Sequence, residues 1–103
     1  MTPVIAITTV GLSFDVASLA RDLVERRLAA CVNVVEKVRS FYRWNGAVED
    51  DAEQLLIIKT SEEKVDALRD ALFARHPYEV PEFIVIRMDD VSPAYREWLG
   101  SGL

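Results

Sequence analysis

Residues 31–59 read CVNVVEKVRSFYRWNGAVEDDAEQLLIIK, and this stretch decides which fold the rest of the chain can adopt. Two runs rich in β-branched and aromatic residues flank the dipeptide Asn45-Gly46. Asn-Gly is the strongest short-range signal for a β-hairpin, because both central residues of a type I′ turn need positive φ. The sequence therefore predicts two antiparallel strands, from Cys31 to Trp44 and from Ala47 to Lys59.

The predicted hairpin is too long for a small domain. Each strand holds about 14 residues, which is on the order of 45 Å at roughly 3.3 Å per residue. A compact domain of about 100 residues has a radius of gyration of only roughly 13 Å, so the hairpin must bend or project. Large apolar side chains occupy its outer half, at Phe41, Tyr42, Trp44 and Val48. Because such side chains are unfavourable in water, we expect residues 32–59 to dock on another copy of the chain.

Helical and strand patterns alternate on either side of the hairpin. A β-branched run predicts a first strand, and apolar residues at helical spacing follow it. The Thr60-x-x-Glu63 pattern is typical of a capping box and predicts the start of a second helix. Pro77 disfavours helical dihedral angles in the residue before it, so this helix must end near residue 75 or 76. The predicted elements are a strand at 3–10, a helix at 16–28, strands at 31–44 and 47–59, a helix at 60–75, a strand at 82–88 and a helix from 93.

This order of elements predicts the fold class. Two split β-α-β units share one sheet, with the helices on one face, followed by a short C-terminal helix. That arrangement is an α+β, ferredoxin-like βαββαβ sandwich with a long β2-β3 hairpin. At 103 residues, we expect residues 1–103 to form a single domain.

Composition restricts the partners. The formal net charge is −5, whereas phosphate contacts need clustered Lys and Arg, so we expect neither nucleic acid nor a membrane as partner. No apolar run reaches the roughly 18 residues that a membrane span needs, and the first residues lack the basic segment of a signal peptide. The single cysteine, Cys31, excludes an intramolecular disulfide. These features favour a cytoplasmic protein.

Cys31 and His76 are the residues best suited to bind a soft or borderline metal ion or to act as a nucleophile pair. Cys31 begins a strand after Leu-Ala-Ala, where a free cysteine is most often a small buried hydrophobe, so we expect it to be buried and slow to react. No acid is placed to orient His76 as a base, and no Cys-x-x-Cys or His-x-x-x-His spacing marks a zinc site. The sequence therefore favours a protein that is not an enzyme and requires no cofactor.

Residues 76–82, HPYEVPE, join the second helix to the last strand. Pro77 and Pro81 make this connection short and stiff, so we interpret it first as a corner. Stiffness also suits binding, because preorganised groups lose less entropy when a ligand arrives. In a trimer we expect this loop to face a neighbour's hairpin across a cleft that no single chain makes. The predicted lining of that cleft is Tyr78, Glu79, Glu82 and Trp44, with His76 beside it.

Several segments together resemble one known family. LVERRLAACVNVV, FYRWNG with the acids that follow it, LLIIKTS, HPYEVPE and YREWL are similar to the CutA family of divalent-cation tolerance proteins. They occur in the family's order and cover nearly the whole chain. The resemblance implies a small cytoplasmic homotrimer with a ferredoxin-like fold, similar in architecture to the PII signalling proteins. It also implies assembly through the 32–59 hairpin and, in some members, copper binding.

The chain departs from the copper-binding members of the family at two positions. The copper-binding members resemble one another in having a cysteine near the end of the first strand and an extra histidine just before His-Pro. At these two positions this chain has Thr8 and Arg75. His76 and, more remotely, Cys31 remain as weak metal ligands. A transition-metal site normally gathers three or four such groups. Copper or another divalent cation therefore stays a candidate for binding, although the chain offers too few residues to coordinate it fully.

Three functions remain open. The favoured hypothesis is a non-catalytic trimeric binding or signalling module of the CutA type, linked to divalent-cation tolerance. A PII-like sensor of a small effector at subunit clefts is the alternative, although the acidic hairpin disfavours nucleotide phosphates. A cysteine-dependent enzyme is the third, which depends on Cys31.

Overall fold

The computed structural model describes all 103 residues and contains one four-stranded sheet with three α-helices. The strands lie in the order β2-β3-β1-β4, and every neighbouring pair is antiparallel. This confirms the predicted α+β, ferredoxin-like sandwich. The elements are β1 (Pro3–Gly11), α1 (Val16–Glu25), β2 (Cys31–Trp44), β3 (Ala47–Ser61), a 3-10 turn (Glu62–Lys64), α2 (Val65–Phe73), β4 (Ile84–Arg87) and α3 (Pro93–Ser101). None of these helices has the length and apolarity needed to cross a membrane.

The core lies between one face of the sheet and the helices α1 and α2. Leu19 and Leu23 of α1 are fully buried, as are Leu68 and Leu72 of α2. Alternate residues of β1 and β3 complete the same cluster, at Ala6, Val10, Leu56 and Ile58. Because side chains alternate along a strand, the residues between these positions point to the opposite face.

That opposite face, which we call the open face, is also apolar. The paired strands place on it Ile5, Ile7, Val35, Leu55, Ile57, Ile84 and Ile86. Ile84 and Ile86 lie on the edge strand β4 and remain 48% exposed. Apolar residues on both faces of a sheet indicate that both faces are meant to be covered.

The hairpin has the predicted turn and the predicted excess length. Asn45 and Gly46 have φ angles of 50° and 79°, as a type I′ turn requires. The chain measures 45 × 26 × 23 Å along its principal axes, with a radius of gyration of 14.3 Å. Pairing between β2 and β3 shifts register between Val35 and Val38. Such an irregularity bends and twists a strand, and here it separates the inner half of the hairpin from its outer half.

Two predicted boundaries were wrong by a few residues. Helix α1 ends at Glu25 instead of residue 28, because Arg27 adopts a left-handed conformation with φ of 57°. The amides of Leu28 and Ala29 then both donate to the carbonyl of Leu23, which closes the helix. Strand β4 spans Ile84–Arg87 instead of 82–88, because it pairs with only four residues of β1.

The predicted capping box was also wrong. Thr60 belongs to β3 and is fully buried, and its hydroxyl donates to the carbonyl of Leu28 at 2.8 Å. A 3-10 turn begins at Glu62 without a side-chain cap, and α2 begins only at Val65. The carboxylate of Glu63 accepts a hydrogen bond from the amide of Thr2 at 3.3 Å instead. Because buried carbonyl groups need a hydrogen-bond donor, the Thr60 hydroxyl binds the Leu28 carbonyl and does not cap the helix.

Candidate functional site

A cleft of about 600 Å³ opens where the outer half of the hairpin meets the loop between α2 and β4. Its size is within the usual range for small-molecule sites, roughly 300–1,000 Å³. Ten residues line it: Thr9, Ser40, Phe41, Tyr42, Trp44, Glu53, Tyr78, Glu79, Val80 and Glu82. One chain is enough to form this cleft, whereas the sequence predicted a cleft that needs two chains.

The hairpin forms one wall because its two strands bring aromatic and acidic residues together. Phe41, Tyr42 and Trp44 come from β2, and Glu53 comes from β3. Glu53 pairs with Gly11 at the end of β1, so its side chain lies at the inner end of the cleft. Only 6% of Glu53 is exposed, whereas the three aromatic residues are between 41% and 62% exposed.

His76 fixes the start of the opposite wall. Its Nε2 lies 2.9 Å from the carbonyl oxygen of Thr9, and its Nδ1 accepts the amide N–H of Tyr78 at 3.1 Å. These contacts require the neutral ring with the proton on Nε2. Burial, only partly offset by the Thr9 carbonyl and Glu53, lowers the pKa of His76 below its usual value. His76 therefore ties the loop to β1, with both nitrogens engaged by backbone groups.

Two tyrosine–carboxylate hydrogen bonds organise the cleft. The Tyr78 hydroxyl donates to Glu53 at 2.6 Å and joins the loop to β3. Burial, followed by this hydrogen bond, raises the pKa of Tyr78. On the hairpin itself the Tyr42 hydroxyl donates to Asp51 at 2.5 Å, which is the main reason that the pKa of Tyr42 rises to about 12. Both phenols therefore stay protonated and act as neutral donors at physiological pH.

The electrostatic character of the cleft is acidic. Glu53, Glu79 and Glu82 line it, and no Lys or Arg does. Burial, together with the nearby charge of Glu53, raises the pKa of Glu82. A nearby negative charge makes a partly buried carboxyl group harder to ionise. A positively charged group in the cleft would relieve this repulsion.

The structure brings together all four residues that the sequence predicted for a ligand cleft. Trp44, Tyr78, Glu79 and Glu82 all line the same space. His76 lies behind the wall and does not line the cleft, although it positions Tyr78. The predicted cleft residues are therefore neighbours within one chain.

Cys31 lies elsewhere and is not a core residue. It opens the edge strand β2 on the open face, opposite Lys59, and is half-buried. Its thiol lies 3.8 Å from the side-chain oxygen of Asn33. The prediction that Cys31 is buried was wrong. Val32 and Val34 pack against the core, and because side chains alternate along a strand, Cys31 lies on the opposite face of the sheet.

The residues considered as metal ligands do not form a cluster. The chain contains no group of three or more His, Cys, Asp or Glu side chains placed to hold a metal ion. Thr8 is fully buried with no hydrogen-bond partner for its hydroxyl, and Arg75 donates to the hydroxyl of Ser18 at 3.1 Å. With both ring nitrogens of His76 engaged as well, a metal ion would have to displace a backbone contact to bind there.

Sequence reasoning missed Glu53, Phe41 and Tyr42 as cleft residues. The sequence pattern indicated only assembly contacts for Phe41 and Tyr42, and it did not single out Glu53. The signal for Glu53 was available in principle. Once the hairpin register is set by Asn45-Gly46, position 53 falls at the level where β1 ends in Gly11.

Comparison with known proteins assigns the family. Residues 4–101 match the model of the CutA1 divalent ion tolerance protein family. A CutA homolog from Xenopus laevis is 49% identical over 82 residues, covering 80% of this chain and 54% of the frog protein. The chain thus spans about half the length of that relative.

Solved structures agree over almost the entire chain. CutA1 from Oryza sativa superposes with a TM-score of 0.93 at 39% identity, covering 99% of this chain and 94% of the rice chain. CutA from Synechococcus elongatus, complexed with a Bis-Tris molecule, has a TM-score of 0.90 at 39% identity and the same coverage. The chain belongs to the CutA family of divalent-ion tolerance proteins.

Proposed function

We propose that this chain is a non-catalytic binding module of the CutA type, which assembles as a homotrimer and takes a small ligand in the hairpin cleft. The observation that carries the proposal is the cleft of about 600 Å³ itself, with its aromatic walls and buried carboxylate. Apolar walls with a few fixed polar groups are typical of small-molecule sites. The Tyr78–Glu53 hydrogen bond holds the two walls in place before any ligand arrives.

The surface of the single chain supports assembly with further copies. The open face carries isoleucines on three neighbouring strands, and β4 leaves Ile84 and Ile86 half exposed at the edge. At the other end of the molecule Phe41 and Val48 are 62% and 67% exposed on the hairpin. Monomeric soluble proteins rarely leave such extended apolar surface uncovered. Contact between copies would cover both regions, and three copies are what the family resemblance implies.

The contacts of His76 and Cys31 support a binding role over catalysis. A nucleophile pair needs a free base nitrogen within hydrogen-bond reach of the thiol. Both nitrogens of His76 contact backbone groups, and the Cys31 thiol contacts the side chain of Asn33. Neither residue is therefore arranged to activate the other.

A PII-like effector sensor is the second candidate, and the cleft favours it specifically. A relative from Synechococcus elongatus has been crystallised with the small organic molecule Bis-Tris, which supports a ligand of that size. The carboxylates of Glu53, Glu79 and Glu82 disfavour nucleotide phosphates, which need backbone amides or basic side chains. We therefore propose a sensor for an effector other than a nucleotide.

The link to divalent cations rests on the family. Metal-ion tolerance is the property for which the family is named. Since three ligands do not converge within one chain, a copper or other divalent ion would need groups from neighbouring copies or water to complete its coordination. We propose that the protein acts in the cytoplasm, where its single free cysteine would stay reduced.

Two measurements on the metal-free protein test this function. Sedimentation equilibrium at micromolar concentration should give three chains per particle, and a stable monomer would contradict the assembly. Isothermal titration calorimetry with copper(II) and a panel of small effectors, nucleotides included, should give saturable binding that Trp44→Ala weakens. Turnover that Cys31→Ser abolishes would instead support the cysteine-dependent enzyme.

A further inference from the structure

The hairpin cleft combines three carboxylates, four aromatic rings and no basic side chain in one concave surface. The carboxylates are those of Glu53, Glu79 and Glu82, and the rings are those of Phe41, Tyr42, Trp44 and Tyr78. A ligand that enters must therefore suit both a negative potential and the faces of aromatic rings. Neither feature suits an anion.

Glu53 is the strongest single indication of the ligand's charge. Only 6% of Glu53 is exposed, yet it belongs to none of the ion pairs of the chain. Its partner is the Tyr78 hydroxyl at 2.6 Å, a neutral donor that leaves the negative charge uncompensated. Burying a charge without an opposite charge is costly, so a cation beside Glu53 would be stabilised.

The aromatic rings define what kind of cation fits. Trp44 is 41% exposed, so its ring is accessible instead of packed in a core. The guanidinium of Arg39 already lies 5.0 Å from the centroid of Phe41, within the range of a cation–π contact. Organic ammonium ions bind to such rings because their charge is spread over a weakly hydrated surface.

A bare metal ion suits this cleft poorly. The volume of about 600 Å³ is far larger than one ion requires, and no three ligating side chains converge in the chain. Divalent cations of the harder kind need six or more oxygen ligands, and transition metals prefer nitrogen or sulfur. An organic cation fills the space and uses the rings, which a metal ion would leave unused.

We propose that the cleft binds a small organic ammonium ion, with its charge against Glu53 and its substituents against Trp44 and its neighbouring rings. This inference rests on the proposed binding function of the same cleft and adds the chemical class of its ligand. Glu79 and Glu82 extend the negative potential to the cleft's outer wall.

Calorimetry with choline and with its neutral carbon isostere, 3,3-dimethylbutan-1-ol, tests the charge directly. The two molecules have the same shape and differ only in the cationic nitrogen. We expect choline to bind at least about tenfold more tightly, since contact with a buried carboxylate depends on charge. Equal affinities would overturn the inference, because the cleft would then be selecting shape alone.

Two substitutions locate the binding. Glu53→Gln keeps the size of the side chain and a Tyr78 acceptor, and should lower choline affinity about tenfold. Glu97→Gln, on the exposed face of α3, removes a carboxylate outside the cleft and should change nothing. Trp44→Leu keeps an apolar wall but removes the ring, and should weaken choline several-fold while leaving the neutral isostere unchanged. Choline binding that survives Glu53→Gln unchanged would overturn the assignment, and circular dichroism melting verifies that each variant is folded.

Titrations with ATP and copper(II) separate this inference from the function on which it rests. Saturable binding of either one at the cleft, with no binding of choline, would overturn the ammonium ligand and leave the binding module standing. Absence of binding by all four compounds would overturn both.

Discussion

The inner and outer halves of the hairpin belong to the same two strands, yet they have opposite surroundings. In the inner half Leu56 and Ile58 are fully buried beneath α1 and α2. In the outer half Phe41 is 62% exposed and Val48 is 67% exposed. The register shift between Val35 and Val38 marks the change. The comparison teaches that one continuous hairpin stabilises the chain at one end and exposes large apolar side chains at the other.

The largest effect should come from the inner half. Leu56→Ala removes a fully buried side chain from the centre of the core and should lower the free energy of unfolding by about 2–5 kcal/mol. Leu12→Ala is the matched control, because Leu12 is 50% exposed after β1. It should change stability by about 0.5 kcal/mol or less. Urea unfolding measures both, and similar losses would show that the core is not where the structure places it.

The outer half should act on assembly. Trp44→Ala should weaken association of the chains by about 2 kcal/mol if the ring is an anchor between copies. Trp98→Ala is the control, since Trp98 is 51% exposed on α3 and lies outside the hairpin. Sedimentation equilibrium should detect a concentration-dependent loss of the proposed trimer in the first variant only. Unchanged assembly in Trp44→Ala would leave the ring with a role in the cleft alone.

His76 ties the loop between α2 and β4 to β1 and should affect stability more than assembly. His76→Ala leaves the Thr9 carbonyl and the Tyr78 amide without their partner, so we expect a loss of about 1–2 kcal/mol. Thermal melting with sedimentation separates the two effects, and a trimer that falls apart with an intact fold would contradict this role.

The pH dependence of His76 follows from its environment. Burial lowers its pKa in the folded chain below the usual value of 6.5. The unfolded chain therefore binds a proton first as the pH falls, and folding stability should decrease below about pH 6.5. His76→Gln, which cannot take up a proton, should make this part of the pH profile flatter. An identical slope in both proteins would show that another group is responsible.

The fold was predictable because its signals are local and agree with one another. Asn45-Gly46 set the hairpin register, and helical spacing of leucines such as Leu19 and Leu23 set the buried helix face. What failed depended on distant partners. Thr60 has the sequence of a helix cap, but the carbonyl of Leu28, 32 residues away in the chain, takes its hydroxyl. No short-range pattern reports such a contact.

The sequence predicted the cleft residues of the loop between α2 and β4, but it did not predict Glu53 of β3. Tyr78, Glu79 and Glu82 stood out because two prolines frame them in a short segment. Glu53 did not, since its burial requires β1 to end at its level and Tyr78 to reach across to it. A carboxylate in an exposed acidic run and one that is 6% exposed have the same sequence neighbours. Only the tertiary contact distinguishes them.

The smallest effect should come from Glu82, at the outer wall of the cleft. Burial and the charge of Glu53 raise its pKa above the usual 4.5. The favourable contribution of its protonated form is fully present below pH 4.5 and is lost as the pH rises through the folded-state pKa. Glu82→Gln should therefore raise the melting temperature slightly at pH 7 and leave it unchanged at pH 4. The control Glu97→Gln, at an exposed position on α3, should not show this difference between the two pH values. If Glu82→Gln instead lowers the melting temperature at pH 7, then the ionised carboxylate of Glu82 stabilises the folded chain, and repulsion from Glu53 does not dominate its environment.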